Sequence, residues 1–177
     1  DRGCIVYRDT LMEQYDKLQT TIDYIDSVNC FNGSDGSFKA TTNGGAAPYF
    51  YKTHLNRDYQ TSPIFSGLKA AKYHLSIKDS LNCPDSAVIT IQQPDSLGID
   101  FQNVINTYCT NAEGAVNGNP FGGIPPYEFK WSSGANSSKI ENLMFGSYKL
   151  TVTDQNNCMV TDSVKIKDTP GPVLKVA

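Results

Sequence analysis

Residues 73–83 read YHLSIKDSLNC, and residues 148–158 read YKLTVTDQNNC. In the first stretch Tyr73, Leu75 and Ile77 alternate with His74, Ser76 and Lys78. A period of two belongs to a β-strand with one face buried and one wet. The alternation ends at an Asp. A short polar turn, an Asn and a Cys follow, and then a second alternating run: AVITIQQ after Cys83, SVKIKD after Cys158. Asn tolerates the left-handed backbone that tight turns demand, so Asn82 and Asn157 mark the bend of a hairpin.

Outward from this hairpin the chain overlays itself at a shift of about 75–79 residues. Cys30 falls on Cys109, Gly44-Gly45 on Gly122-Gly123, and Pro48-Tyr49 on Pro126-Tyr127. Leu68 and Tyr73 fall on Leu143 and Tyr148, and Asp79, Asn82 and Cys83 on Asp154, Asn157 and Cys158. DRGC at 1–4 repeats the Asp-to-Cys ending, EQYDKL at 13–18 falls on QQPDSL at 92–97, and VLKVA falls where another copy begins. The register predicts the last strand of a preceding repeat over 1–17, whole repeats over 18–94 and 97–168, and the start of a following repeat over 169–177. The chain reads as a cut from a longer array. YRDTLMEQYDKLQ has a helical look, but the register places it on a strand and a linker.

GSFKATTNGG, PYFYK and PYEFKW supply further strands, punctuated by Gly-Gly and Pro. Seven or so short strands per repeat predict an all-β chain of tandem immunoglobulin-like β-sandwich repeats, arranged end to end. Trp131 stands where such a fold keeps a large core aromatic. Tyr73 and Tyr148 stand either at a tyrosine corner or as plain core aromatics. The net charge of −3 offers no basic surplus for phosphates, so nucleic acid is not an expected partner. No run approaches the roughly 18 apolar residues of a membrane span, so membrane insertion is not expected. The first ten residues carry neither the basic start nor the apolar stretch of a secretory leader.

Cys30 followed by NGSDGS, then Gly-Gly and Pro-Tyr, then L-x-x-x-x-Y-x-L-x-x-x-D-x-x-N-C, is similar to the SprB repeat of gliding-motility adhesins in Bacteroidota. The resemblance covers both whole repeats. It implies a long filament protein exported by the type IX system to the extracellular, outer-membrane surface, and used in adhesion and gliding. Its implied partners are neighbouring repeats of the same chain, surface polysaccharide and other filament subunits.

Candidate chemistry is sparse. His54 sits in an expected loop and His74 on an expected wet face, and neither recurs in the second repeat, so no catalytic triad is expected. Asp23 and Asp26 lack a visible pocket for paired-carboxylate work. No enzyme and no cofactor are predicted. Calcium is the one metal considered, through the turn residues Asp35, Asp79 and Asp85; Asp in a turn also bonds its own backbone.

Five cysteines (Cys4, Cys30, Cys83, Cys109 and Cys158) show no CxxC pair and read as disulfide partners rather than zinc ligands. Two pairings fit. Within repeats, Cys30–Cys83 and Cys109–Cys158 leave Cys4 orphaned by truncation. Across junctions, Cys4–Cys30 and Cys83–Cys109 orphan Cys158. A standard sandwich puts these loops at opposite ends, which opposes both; the within-repeat pairing is preferred because it spans less. Asp-(Ser/Thr)-apolar occurs six times and resembles the O-glycosylation signal of Bacteroidota envelope proteins. Its acceptors would be Thr10, Ser27, Ser80, Ser86, Ser96 and Ser163. The reading is a structural and adhesive stalk segment. Its alternative is a carbohydrate-binding or accessory module of a secreted enzyme, with Tyr59 as the aromatic platform.

Overall fold

The computed structural model describes residues 5–8, 11–109 and 111–169. Every regular element among them is a β-strand, and the chain divides into two compact units, Asp1–Gln93 and Pro94–Ala177. β1 (Ile5–Arg8) and β2 (Leu11–Gln14) form an antiparallel hairpin. The described residues of YRDTLMEQ, at 7–8 and 11–14, are therefore strand and not helix.

The rest of the first unit holds β3 (Gln19–Asp26), β4 (Gly36–Asn43), β5 (Phe50–Thr53), β6 (Ile64–Leu68), β7 (Ala71–Lys78) and β8 (Pro84–Ile91). They make two antiparallel sheets, β3-β4-β6 and β5-β7-β8. The opening stretch is β7. Its inward Tyr73, Leu75 and Ile77 are buried, and its outward residues are not. The hairpin partner β8 runs back in full register, from Lys78 against Pro84 to Ala71 against Ile91. Phe38, Ala40, Tyr51, Phe65, Ile89 and Ile91 close the core from both sheets. Burying each large apolar side chain contributes about 1.5–3 kcal/mol. Each sandwich has six main strands, three per sheet, rather than the seven expected. The segment between β5 and β6 runs as a loop that meets β5 through one antiparallel bridge, Gln60 against Tyr51.

The second unit repeats the plan with β9 (Gly98–Ile105), β10 (Thr107–Tyr108), β11 (Gly114–Phe121), β12 (Glu128–Trp131), β13 (Lys139–Leu143), β14 (Gly146–Thr153), β15 (Met159–Ile166) and β16 (Asp168–Thr169). Its sheets are β13-β11-β9 and β12-β14-β15, with β10 and β16 as a short parallel pair. The two cores reach the same end with different residues. The first uses Phe38 stacked on Phe65 at 4.8 Å, with a small buried Thr53. At the matching positions the second has Val116, Ile140 and Trp131. Close packing demands a similar total volume, not the same side chains. Gly118, which matches Ala40, makes room: a Cβ there would stand 2.2 Å from Leu150 Cδ2 and 3.4 Å from Trp131 Cζ2.

Both tyrosine hydroxyls donate to a backbone carbonyl four residues upstream, Tyr73 to Lys69 at 2.9 Å and Tyr148 to Met144 at 3.0 Å. This is tyrosine-corner geometry. Tyr73 is also buried in the core, so both roles expected of it hold at once. Trp131 is 2% exposed, and its ring N–H donates to the Ser137 carbonyl at 2.8 Å, the partner a buried indole needs.

Candidate functional site

The repeated signature converges on one place in each unit. Asp79, at the end of β7, is 1% exposed. Its Oδ1 accepts the N–H groups of Leu81 (2.9 Å) and Cys83 (2.8 Å), which folds the Asp-x-x-Asn-Cys turn around it. Asn82 takes the left-handed conformation in that turn, with φ of 64°. Oδ2 accepts the N–H of Ala46 (2.9 Å), just past the Gly-Gly pair. The Ser80 N–H returns a bond to the Ala46 carbonyl at 3.0 Å. Gly45 has φ of 61°, and a Cβ on it would stand 2.7 Å from Asp79 Oδ2, so this position excludes every side chain. Its N–H donates to the Asp16 carbonyl, which pins the incoming chain, and the Tyr49 hydroxyl donates to the Gly44 carbonyl at 2.7 Å.

The second unit reproduces this lock atom for atom. Asp154 Oδ1 accepts from Asn156 and Cys158, both at 2.9 Å, and Oδ2 from Ile124 at 3.0 Å. Gly123 donates to the Asp95 carbonyl, Gln155 to the Ile124 carbonyl, and the Tyr127 hydroxyl to the Gly122 carbonyl. Two halves of a sequence signature, 33 residues apart in the first unit and 30 in the second, are thus one hydrogen-bonded structure at the N-terminal pole of each sandwich. Sequence reasoning placed Asp79 in a turn and missed this. The available signal was that Gly-Gly and Asp recur together.

The structure places the three turn aspartates considered for calcium as follows. Asp79 spends both oxygens on backbone amides, and Asp35 accepts from the backbone N–H and side-chain amide of Asn29. Asp85 lies on β8 opposite Ile77. Asp23 and Asp26 sit on β3 and bond neighbours across the strand. The Thr41 hydroxyl donates to Asp23 at 2.7 Å, Lys39 pairs with it at 3.0 Å, and the Ser37 hydroxyl donates to Asp26 at 2.7 Å. The Thr41 hydrogen bond first, and then Lys39, holds the Asp23 carboxyl below its ordinary pKa. His54 and His74 meet edge to face, with ring centroids 5.5 Å apart, and the His74 backbone N–H donates to His54 Nδ1 at 3.2 Å. Among the described residues, no hydroxyl is hydrogen-bonded to either ring.

The cysteines occupy opposite poles. Cys83 precedes Pro84, beside the Lys78 end of β7. Cys30 lies in the loop after β3, where Val28 N–H donates to the Gln92 carbonyl, at the Ile91 end of the same hairpin. Seven residue steps of strand separate the two ends, roughly 23 Å, whereas bonded cysteines bring their Cα atoms within about 7 Å. Cys30 and Cys83 are each disulfide-bonded, and this geometry does not allow them to bond each other. The preferred within-repeat pairing is corrected accordingly. The second unit has the same layout: Cys109 donates its N–H to the Thr169 carbonyl at one pole, while Cys158, also disulfide-bonded, sits in the lock at the other. Cys4 lies outside the described residues.

Five glycosylation candidates fall among described residues, and all five (Ser27, Ser80, Ser86, Ser96 and Ser163) are exposed. Ser80 has its hydroxyl bonded to the Ala46 carbonyl at 2.9 Å. Thr10 lies outside the described residues. Tyr59 is 38% exposed, but the ammonium groups of Lys52 and Lys78 each lie 4.9 Å from its ring centroid.

With this geometry in hand, comparison with known proteins gives one family match: the model of the SprB repeat fits residues 24–52. That span carries Cys30, the Gly-Gly turn and Pro-Tyr. The internal repetition sets Cys109, Gly122-Gly123 and Pro126-Tyr127 of the second unit at the corresponding positions. No curated protein matches the chain. Solved structures share the all-β immunoglobulin-like fold. A chain from a study of Dscam isoform specificity is 12% identical, with 88% of this chain and 47% of that one covered, at a TM-score of 0.37. A C-terminal intimin fragment, solved in complex with the intimin-binding domain of its translocated receptor, is 15% identical, with 84% and 63% covered, at 0.43. The DIP-gamma IG1+IG2 structure is 12% identical, with 85% and 97% covered, at 0.48. The chain spans about half to two thirds of the Dscam and intimin chains.

Proposed function

We propose that this chain is a structural and adhesive segment of a repetitive filament protein, exported to the bacterial cell surface and used in surface adhesion and gliding. The observation that carries the reading is the lock. Two consecutive sandwiches build the same buried Asp site from the same residues, and the first carries the SprB-repeat match. A fold repeated with its structural joints intact, and with its surface left to vary, suits a protein whose work is reach and many weak contacts. No catalytic role is assigned. The exposed Asp-Ser hydroxyls are proposed as points of sugar attachment. Intact mass of native protein without added hexose would remove that part.

Antibodies against the chain should label unpermeabilised cells, and deleting its gene should abolish surface adhesion and spreading. Absence of labelling would overturn the reading, as would a full-length reading frame that joins these repeats to a catalytic domain. The alternative, an accessory module with Tyr59 as a stacking platform, is weakened. That ring is engaged by two lysines. It has no counterpart in the second unit, where the matching loop is shorter.

A further inference from the structure

Charge is sorted by face in the first sandwich. The outward residues of the β5-β7-β8 sheet are Phe50 and Lys52 on β5, Lys72, His74, Ser76 and Lys78 on β7, and Pro84, Ser86, Val88 and Thr90 on β8. Three lysines stand there with no carboxylate on those strands' outer face. The nearby β5–β6 loop adds one charge of each sign, Arg57 and Asp58. The acids Asp23 and Asp26 sit instead on the other sheet. The register sets Lys52, Ser76 and Ser86 in one row across the three strands. Lys52 and Lys78 converge on the Tyr59 ring, which fixes two ammonium groups beside that row.

The second sandwich repeats the arrangement with other residues. Lys130, Thr151 and Thr161 make the same row, with the two threonine hydroxyls bonded at 2.9 Å. Lys149 and Lys165 add charge against the one acid, Glu128. A shallow pocket of about 550 Å³ opens on this face, where Lys130, Thr151, Thr153 and Asn136 stand beside the one carboxylate, Glu128, and the apolar Met159. A chain of net charge −3 that twice gathers lysines and hydroxyls on the same sheet presents a surface complementary to an anionic, hydroxyl-bearing polymer.

We propose that this lysine- and hydroxyl-bearing face of each repeat binds an acidic polysaccharide. The ammonium groups take the carboxylates and the Ser/Thr rows take the sugar hydroxyls. The proposal rests on the adhesive reading and names its ligand class. Single-stranded nucleic acid fits less well, because no arginine stands in these rows and the rings beside them, Phe50 and Tyr59, already lie against lysine ammonium groups. Sugar attached at Ser86 or Ser163 would stand on this face, so the unglycosylated recombinant chain is the one to test.

The experiment measures binding of the whole chain to immobilised polygalacturonate and to neutral dextran, with single-stranded DNA as competitor. Binding to polygalacturonate alone is expected. It should weaken strongly as ionic strength rises from about 0.01 M to about 0.15 M, where the screening length falls from ~30 Å to ~8 Å. The combined variant Lys52→Glu, Lys78→Glu, Lys130→Glu and Lys149→Glu should bind at least about tenfold more weakly. Asp23→Asn with Asp26→Asn, on the opposite sheet, should bind as the parent does. If the reversed variant does not fold, by circular dichroism, the same four positions as Gln give the readout. Equal binding to dextran, indifference to the lysine changes, or equal displacement by DNA would each overturn the proposal. Failure here with cell-surface labelling intact removes the ligand class and keeps the adhesive reading.

Discussion

At the scale of single residues, Asp79 and Asp154 hold the most consequence. Each buried carboxylate satisfies three backbone N–H groups from two separate turns. Asp79→Ala would leave the amides of Ala46, Leu81 and Cys83 without their acceptor, and each such loss costs about 1–3 kcal/mol. A fall of more than about 10 °C in the melting temperature of the first sandwich is expected by calorimetry. An unchanged melt would refute the lock. Asp23 illustrates a smaller effect with a definite sign. Its folded pKa is depressed, so its contribution to stability is full above the ordinary carboxylate pKa and is lost as pH falls through the lowered one. Thr41→Val removes the largest cause. The Asp23 pKa measured by NMR should then rise toward 3.8, its unperturbed value.

At the scale of elements, the two repeats act as a natural substitution experiment. Ala40 on β4 and Gly118 on β11 occupy one position in two sandwiches, yet Ala fits only the first. Gly118→Ala would drive its Cβ into Leu150, and overpacking of this kind costs about 1–3 kcal/mol. Denaturant titration should show a lower midpoint with the slope unchanged. The reason is Leu150, whose Cδ2 stands 2.2 Å from where the Cβ would go, while Trp131 Cζ2 is 3.4 Å away. The hairpin of β7 with β8 was fully legible from alternation and Asn-Cys punctuation. The count of strands was not. Whether the segment between β5 and β6 pairs depends on loop length and on what lies across from it, and neither is visible as a period.

At the scale of the whole molecule, the cysteines are the informative feature. Peptide mapping without reduction should yield no peptide linking Cys30 to Cys83 and none linking Cys109 to Cys158. Recovery of either would contradict the strand lengths that hold them apart. Because neither sandwich core depends on a bond inside it, reduction should leave the far-ultraviolet circular dichroism essentially unchanged.

The sequence by itself determined the β character, the repeat period, the hairpin and the inward aromatics. These are local or periodic properties, set by side-chain alternation and turn chemistry within a few residues. Only the tertiary structure decided three other things. It joined Gly-Gly to Asp through a shared carboxylate, it set the two cysteines of a repeat at opposite poles, and it gathered lysines and hydroxyls on one sheet. Each depends on which strands become neighbours, and strand pairing brings together residues that no spacing along the chain connects. YHLSIKDSLNC carried both kinds of information. Its alternation announced a strand, while the meaning of its aspartate lay in the turn more than thirty residues upstream.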